Sequence, residues 1–206
     1  WLMDSCEMRF TPDNVSLWVV NYRRTVEVIE TVQGWLDSFP FEVVNIIDNP
    51  GQRQVEDFPL DIQDKICIYP NSLRPSWMTG SISECYNAAF INTFGERDWV
   101  LCSQDDVIIK PGWAEIIEAT PYNVYFAPMG DVVHLTHIEA FKKIGFWNEL
   151  FRLVGGPEQE ALIRCMRHIP EQSSLYDDHF WYLRHNDVGL SDYWLRMPRT
   201  EEILDT

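Results

Sequence analysis

The chain has 206 residues, of which 46% are hydrophobic and 14% aromatic, and its formal net charge is −16. This length and composition predict one globular domain with a substantial core and exclude a disordered chain. The acidic balance argues against nucleic acid as a partner and against docking on anionic membranes, because both need a basic surface.

The five cysteines are an odd number without zinc-site spacing, which favours a reducing, cytoplasmic compartment. The sequence has no apolar run of about 18 residues or more and no visible signal peptide, so we expect no insertion into a membrane. Nothing in the sequence indicates the oligomeric state.

Apolar runs rich in β-branched residues predict buried strands in the first half of the chain, at residues 15–21, 41–47, 66–69 and 99–102. Apolar residues at helical spacing predict two helices there, 25–39 and 82–94, capped by Thr25 and Ser81. The alternation of strand and helix predicts an open α/β sheet with parallel strands.

In the second half, a short strand at 107–109 is closed by a turn at Pro111-Gly112. Further predicted elements are helices 113–119, 138–144 and 157–168 and strands 124–127 and 132–135. Periodicity is weak after Pro170, and no element is predicted there.

Polar residues follow three of the predicted strands, in the segments 21–23 (Asn21, Tyr22, Arg23), 48–49 (Asp48, Asn49) and 104–106 (Gln104, Asp105, Asp106). Ligands of open α/β sheets bind beyond the carboxyl ends of the strands, so we expect these residues to line one crevice. Two acids at the end of a buried strand are costly unless a cation meets them, and Mg²⁺ or Mn²⁺ prefers such ligands together with substrate phosphates. A turn with solvated aspartates is the alternative.

The segments VVNYRR, IIDNPG, SECYNAAF, SQDDVIIKPGW, KKIGFWNELF and GGPEQEALIR resemble, in this order, motifs of the GT-A nucleotide-sugar glycosyltransferases, particularly family-2-like members. The resemblance covers about residues 15–167, and in size and acidity the chain is also similar to compact glycosyltransferase domains of large algal viruses (chloroviruses). It implies a single GT-A (Rossmann-like) domain, with a central, mostly parallel sheet flanked by helices and a small antiparallel element. Residues of about 12–106 would form the nucleotide-binding half, and 107–206 the acceptor-binding half and C-terminal tail. A viral protein would work in the host cytoplasm.

The resemblance also implies roles for single residues. Asn21, Tyr22 and Arg23 would meet the nucleoside, Asp48 the uracil, and Asn87 would contact a phosphate or the base. Asp105 would face the ribose and Asp106 would bind the metal, with Gln104 in place of the first acid of a strict D-x-D. His179 or His185 could add a metal ligand from the tail, and Arg23, Arg24 or Arg53 could grip phosphate.

Glu158 stands in the place of the catalytic base, in the first turn of a predicted helix where the dipole favours a carboxylate. Glu160 is the second candidate. The implied function is a metal-dependent, inverting glycosyltransferase that uses Mn²⁺ or Mg²⁺ and moves a sugar from a UDP-sugar to a glycan or glycoprotein-linked sugar. A nucleotidyltransferase, a non-catalytic nucleotide-sugar or glycan-binding module, and a retaining mechanism are the alternatives.

Overall fold

The computed structural model describes residues 10–22, 26–49, 53–71, 80–109, 112–119, 124–126, 133–149, 156–175 and 183–185. The strands are β1 (Val15–Tyr22), β2 (Val44–Asn49), β3 (Ile66–Pro70), β4 (Trp99–Gln104), β5 (Val107–Ile109), β6 (Val124–Phe126), β7 (Val133–His137), β8 (Ser173–Leu175) and β9 (Leu183–His185). The α-helices are α1 (Val26–Ser38), α2 (Gly80–Thr93), α3 (Trp113–Ala119), α4 (Ile138–Ile144) and α5 (Gly156–His168).

Within these residues, seven strands form one sheet in the order β3-β2-β1-β4-β7-β6-β8. Strands β1 to β4 run parallel, β7 is antiparallel to both β4 and β6, and β8 is parallel to β6. The short strands β5 and β9 pair antiparallel in a separate sheet. The predicted fold class, a mostly parallel sheet flanked by helices with a small antiparallel element, is confirmed.

The sheet is buried on both faces, which explains why its central strands are continuous apolar runs. Leu17 and Val19 of β1 point into a core with α1 and α3, while Trp18 and Val20 point into a second core with α2, α4 and α5. This alternation follows from the period of two along a strand. The two helical layers therefore cover opposite faces of the sheet.

Some predicted bounds are wrong. The strand predicted at 41–47 begins at Val44, because the Phe41 ring packs in an aromatic cluster with Trp35, Phe39 and Trp113 instead. Ser81 lies inside α2, which begins one residue earlier, and is not its cap.

Strands β8 and β9 were not predicted, because their sequences, Ser-Ser-Leu and Leu-Arg-His, lack the apolar run that marks the equally short β5 and β6. Both lie after Pro170. Strand β8 pairs with β6, and strand β9 pairs with β5.

The cysteines of the described segments, Cys67, Cys85, Cys102 and Cys165, are free thiols. Burial raises the pKa of Cys85 to about 12 and that of Cys102 well above its ordinary value, so both behave as small apolar side chains. None of the described helices has the length and apolar composition needed to cross a bilayer.

Candidate functional site

The three predicted polar segments lie side by side at one edge of the sheet. Asn21 of β1 stands opposite Asp48 of β2, and Val20 stands opposite Gln104 of β4. Because the strands are parallel and adjacent, the carboxyl ends of β2, β1 and β4 form a continuous edge. The strand ends that precede these segments are therefore adjacent in the backbone, and the crevice that the segments would line stays a prediction.

Asp48 lies near the end of β2 and is only 1% exposed. Its Oδ1 accepts a hydrogen bond from Asn21 Nδ2 at 2.5 Å, and its Oδ2 accepts one from the Arg53 backbone N–H at 2.8 Å. Its carbonyl oxygen accepts from the Asn71 N–H at 2.8 Å. Asp48 therefore joins the ends of β1 and β2 to the chain at residues 53 and 71, and each carboxylate oxygen keeps a second lone pair for a ligand.

Asn21 is fully buried beside Asp48. Its amide nitrogen donates to Asp48. Its amide oxygen, Oδ1, is buried and has no hydrogen-bond partner in the described part of the chain. A buried acceptor without a donor is costly. It is therefore the kind of group that a donor from a ligand would satisfy.

Arg53, a candidate for phosphate binding, lies against Asp48. Its Nε is 3.9 Å from Asp48 Oδ1, and the side chain is only 10% exposed. The side chain of Tyr22, together with Arg23 and Arg24, lies outside the described residues.

Asp105 and Asp106 form the turn between β4 and β5, with only 4% and 3% of their surface exposed. The turn is held by Thr31 of α1. The Thr31 hydroxyl is 3.0 Å from the Asp105 carbonyl oxygen and accepts the Val107 N–H at 3.1 Å. The predicted acidic pair is therefore buried and anchored, and the solvated-turn alternative is wrong.

A cavity of about 210 Å³ opens beside this turn, between α1 and β5. It is lined by the carboxylate residues Glu27, Glu30 and Asp106 together with Thr31 and Gly34. Pockets for drug-sized ligands usually measure about 300–1,000 Å³. The cavity is accordingly too small for a whole nucleotide sugar.

A larger cavity of about 620 Å³ lies on the opposite face of the sheet. Its lining is apolar and comes from α2, α4 and the residues after α4, including Phe94, Phe141 and Phe146. Among the predicted site residues that the structure describes, none lines it.

The donor set fits a divalent cation held jointly with a nucleotide. No group of three or more His, Cys, Asp or Glu residues converges as a metal site within the described segments. Two carboxylates at a strand end match the way Mg²⁺ is usually held, through one or two carboxylates plus substrate phosphates. A hard cation would thus depend on phosphate oxygens to complete its coordination here.

Strand β9 brings one predicted tail ligand near the turn. In the β5–β9 pair the backbone of His185 stands opposite Val107, the residue that follows Asp106. His179, the other predicted tail ligand, lies outside the described residues.

Asn87 forms a clamp between α2 and the segment after α4. Its Oδ1 accepts the Trp147 N–H at 2.8 Å, while its Nδ2 donates to the Trp147 carbonyl at 2.9 Å and to Glu149 Oε1 at 2.8 Å. Asn87 is 5% exposed, so both of its amide hydrogens and its oxygen are used inside the protein. Its predicted contact with phosphate or base stays a prediction.

Glu158 is the third residue of α5, so the predicted position in a first helical turn is confirmed for the backbone. Glu160, the second candidate for the base, forms an ion pair with Arg164 one turn later, at 2.7 Å. Arg164 also donates to the carbonyl of Ile144 at the end of α4. Through Arg164, Glu160 of α5 is therefore linked to the end of α4.

Two anchors of the acidic turn were missed by sequence reasoning. Besides Thr31, Trp35 of α1 donates from Nε1 to Ser103 Oγ at 3.1 Å, two residues before Asp105. Both residues lie on the buried face of a helix, where the sequence signal is the same as for ordinary core positions.

His134 of β7 belongs to the core. It is 1% exposed, and its ring contacts those of Tyr86 and Trp147 at centroid distances of 4.6 and 5.0 Å. Burial lowers the His134 pKa to about 3, so the imidazole is neutral at ordinary pH.

No protein-family model matches the sequence, and no curated protein matches it. Among solved structures, the chain is similar to a Drosophila β1,4-galactosyltransferase 7 mutant in complex with manganese, UDP-Gal and xylobiose. That match has a TM-score of 0.53 and 10% identity, and it covers 91% of this chain and 78% of that one.

A mycobacterial protein gives a TM-score of 0.54 at 8% identity, covering 88% of this chain and 70% of that one. The glycosyltransferase GlyE of Streptococcus pneumoniae gives 0.49 at 16% identity, covering 91% and 50%. At such low identity the similarity shows the fold alone, and that fold is the GT-A type of the Drosophila galactosyltransferase.

Proposed function

We propose that the protein is a metal-dependent glycosyltransferase that moves a sugar from a UDP-sugar to a hydroxyl of a glycan or glycoprotein-linked sugar. The observation that carries the proposal is the juxtaposition at the sheet edge. The buried Asp105–Asp106 turn follows β4, and the Asn21–Asp48 pair lies near the ends of β1, the neighbour of β4, and of β2, the neighbour of β1. Acidic and amide groups at the carboxyl ends of parallel strands suit a nucleotide diphosphate with its cation.

The Drosophila galactosyltransferase of similar fold supports the choice of ligands, since its structure holds manganese, UDP-Gal and xylobiose. By analogy we assign Mn²⁺ or Mg²⁺, a UDP-sugar donor and a carbohydrate acceptor to the present chain. This part of the proposal rests on fold-level analogy, whereas the acidic edge is a feature of the chain itself.

In the proposed mechanism Asp106 binds the cation and Asp105 faces the ribose. Asp48 accepts a hydrogen bond from the imide N–H of uracil, with Asn21 holding its carboxylate in position. The cation supplies positive charge where the leaving diphosphate gains negative charge. His185 is the candidate for an additional ligand from the tail, because its backbone stands opposite Val107.

Glu158 would take the proton from the acceptor hydroxyl as the hydroxyl attacks the anomeric carbon, with inversion of configuration. Its place in the first turn of α5 favours the ionised carboxylate that a base needs. Glu160 is a weaker candidate because Arg164 already engages its carboxylate.

A thermal-shift panel of nucleotides with and without Mn²⁺ tests the proposal. A ligand at about 100 times its Kd stabilises the fold by about 2.7 kcal/mol. For a domain of this size that raises Tm by about 5–10 °C. We expect UDP with Mn²⁺ to give the largest shift and Mn²⁺ alone to give almost none, because the Asp106 carboxylate by itself is an incomplete set of ligands.

The Asp106→Ala variant should lose the part of the shift that depends on metal and retain the remainder. A second arm separates an enzyme from a binding module. Glu158→Gln should keep the UDP–Mn²⁺ shift and lose transfer of sugar to the acceptor. A panel in which no uridine nucleotide shifts Tm, with or without metal, would contradict the proposal.

A further inference from the structure

We propose that Thr31 is a positioning residue for the acidic turn, and that its hydroxyl sets the affinity for the divalent cation by fixing the backbone on both sides of Asp106. The inference rests on the proposed function, because it concerns the same metal site. It adds a residue from a different element, α1, that touches neither cation nor nucleotide in the proposed mechanism.

The geometry centres on the two peptide groups of Asp106. The Thr31 hydroxyl has two carbonyl acceptors within reach, Asp105 at 3.0 Å and Val107 at 3.2 Å. The shorter contact is to the Asp105 carbonyl, which belongs to the peptide bond before Asp106. The Thr31 hydroxyl oxygen accepts at 3.1 Å from the Val107 N–H, which belongs to the peptide bond after Asp106. One hydroxyl therefore holds both peptide planes that determine the φ and ψ angles of Asp106.

Helix α1 is shaped to bring this hydroxyl close. Gly34 lies one turn after Thr31, and a Cβ added to it would meet Ile109 Cδ1 of β5 at 3.1 Å, so glycine allows the helix to approach the strand. Trp35 adds a hydrogen bond to Ser103, on the other side of the turn. Both contacts keep Thr31 at hydrogen-bonding distance from the acidic turn.

The side chain of Thr31 also departs from the usual behaviour of threonine in a helix. A hydroxyl inside a helix commonly bonds to the carbonyl four residues earlier. Thr31 is 2% exposed and directs its hydroxyl to the turn between β4 and β5. Partners of this kind orient metal ligands, and their loss typically weakens metal affinity by about 10–100-fold.

Thr93 provides a matched control. It is a threonine in α2, 1% exposed, whose hydroxyl donates to the Ala89 carbonyl at 2.8 Å and accepts from Trp18 Nε1 at 2.9 Å. It has the same chemistry and the same burial, but it lies in the core on the opposite face of the sheet from α1. Loss of its hydroxyl should affect stability without affecting the metal.

The test is a titration of the full chain with Mn²⁺ at saturating UDP, with free Mn²⁺ followed by its electron paramagnetic resonance signal. We expect Thr31→Val to raise the Kd of Mn²⁺ at least about tenfold. Thr31→Ser, which keeps the hydroxyl, should stay close to wild type, and Thr93→Val should bind Mn²⁺ normally despite a lower Tm. Thr31→Ala removes the same hydroxyl with a strong helix former, so it gives the same readout should the valine variant fail to fold.

Wild-type Mn²⁺ affinity in both Thr31→Val and Thr31→Ala would overturn the inference while leaving the proposed function intact. An equal loss of affinity in Thr93→Val would overturn it as well, because the effect would then be one of general stability. Failure of the wild-type protein to bind Mn²⁺ with UDP would instead overturn the proposed function, and the inference with it.

Discussion

His134 carries the clearest pH-sensitive contribution to stability. Its ring is enclosed by Tyr86, Phe90 and Trp147, and burial lowers its pKa to about 3. In the unfolded chain a histidine has a pKa of about 6.5. Between these two values the unfolded state binds a proton that the folded state does not, so the stabilisation is complete above pH 6.5 and is lost as the pH falls.

We therefore predict that the stability of the wild-type protein falls faster on acidification than that of His134→Phe, whose ring suits the same aromatic surroundings. The difference should grow by about 1 kcal/mol for each pH unit below about 6.5. Urea unfolding at pH 7, 6 and 5 measures it. Parallel stability curves for the two proteins would mean that His134 titrates normally in the fold.

The sequence was informative about which residues at the sheet edge matter and less so about what holds them. Asp105, Asp106, Asp48 and Asn21 stand out as polar residues at the ends of apolar runs. Thr31 does not, because a hydroxyl on a helix looks the same whether it bonds to its own helix or to a distant turn. Partners separated by 74 residues in sequence become visible only in the folded chain.

At the scale of elements, the clamp between α2 and the segment after α4 depends on the side-chain amide of Asn87. Asn87 makes three hydrogen bonds to Trp147 and Glu149, all with good distances. Its removal leaves the buried Trp147 N–H without this partner, and each such group costs about 1–3 kcal/mol.

We predict that Asn87→Ala lowers the free energy of unfolding by about 2–4 kcal/mol. The matched control is Asn92→Ala on the same helix, where the exposed side chain donates to the carbonyl of Ala88. This change should stay within about 0.5 kcal/mol. Urea unfolding of the three proteins gives both values. If Asn87 acts chiefly as a ligand contact, its variant would instead lose UDP binding while keeping its stability.

Elements with many apolar residues were predictable, and elements defined by long-range pairing were not. The central strands and the helices α1, α3 and α4 follow from periodicity because their apolar faces are long enough to be recognised. Strand β9 has three residues and exists through its partner β5, so its register, which brings His185 opposite Val107, has no local signal.

For the whole molecule, the order of the strands decides what the acidic edge can do. With β1 between β2 and β4, the Asn21–Asp48 pair and the Asp105–Asp106 turn meet at one edge. The sequence predicted that these segments converge, since parallel strands share their carboxyl edge. It could not predict the strand order, which depends on packing between distant parts of the chain.

The chain is strongly acidic, with a net charge of −16, and this bears on the order of binding. A nucleotide diphosphate is repelled by carboxylates unless a cation neutralises them, so nucleotide and metal should bind as a pair. In the proposed mechanism Asp106 is the only carboxylate that binds the ion, which also makes metal binding depend on the nucleotide.

The most direct measurement is a crystal structure of the protein soaked with MnCl₂ and UDP, with data collected for the anomalous signal of manganese. We predict one strong anomalous peak within about 2.5 Å of an Asp106 carboxylate oxygen. Diphosphate oxygens should bind the same ion, and the uracil should lie against Asp48. A manganese peak far from the turn between β4 and β5, or a nucleotide bound at the amino ends of the strands, would contradict it.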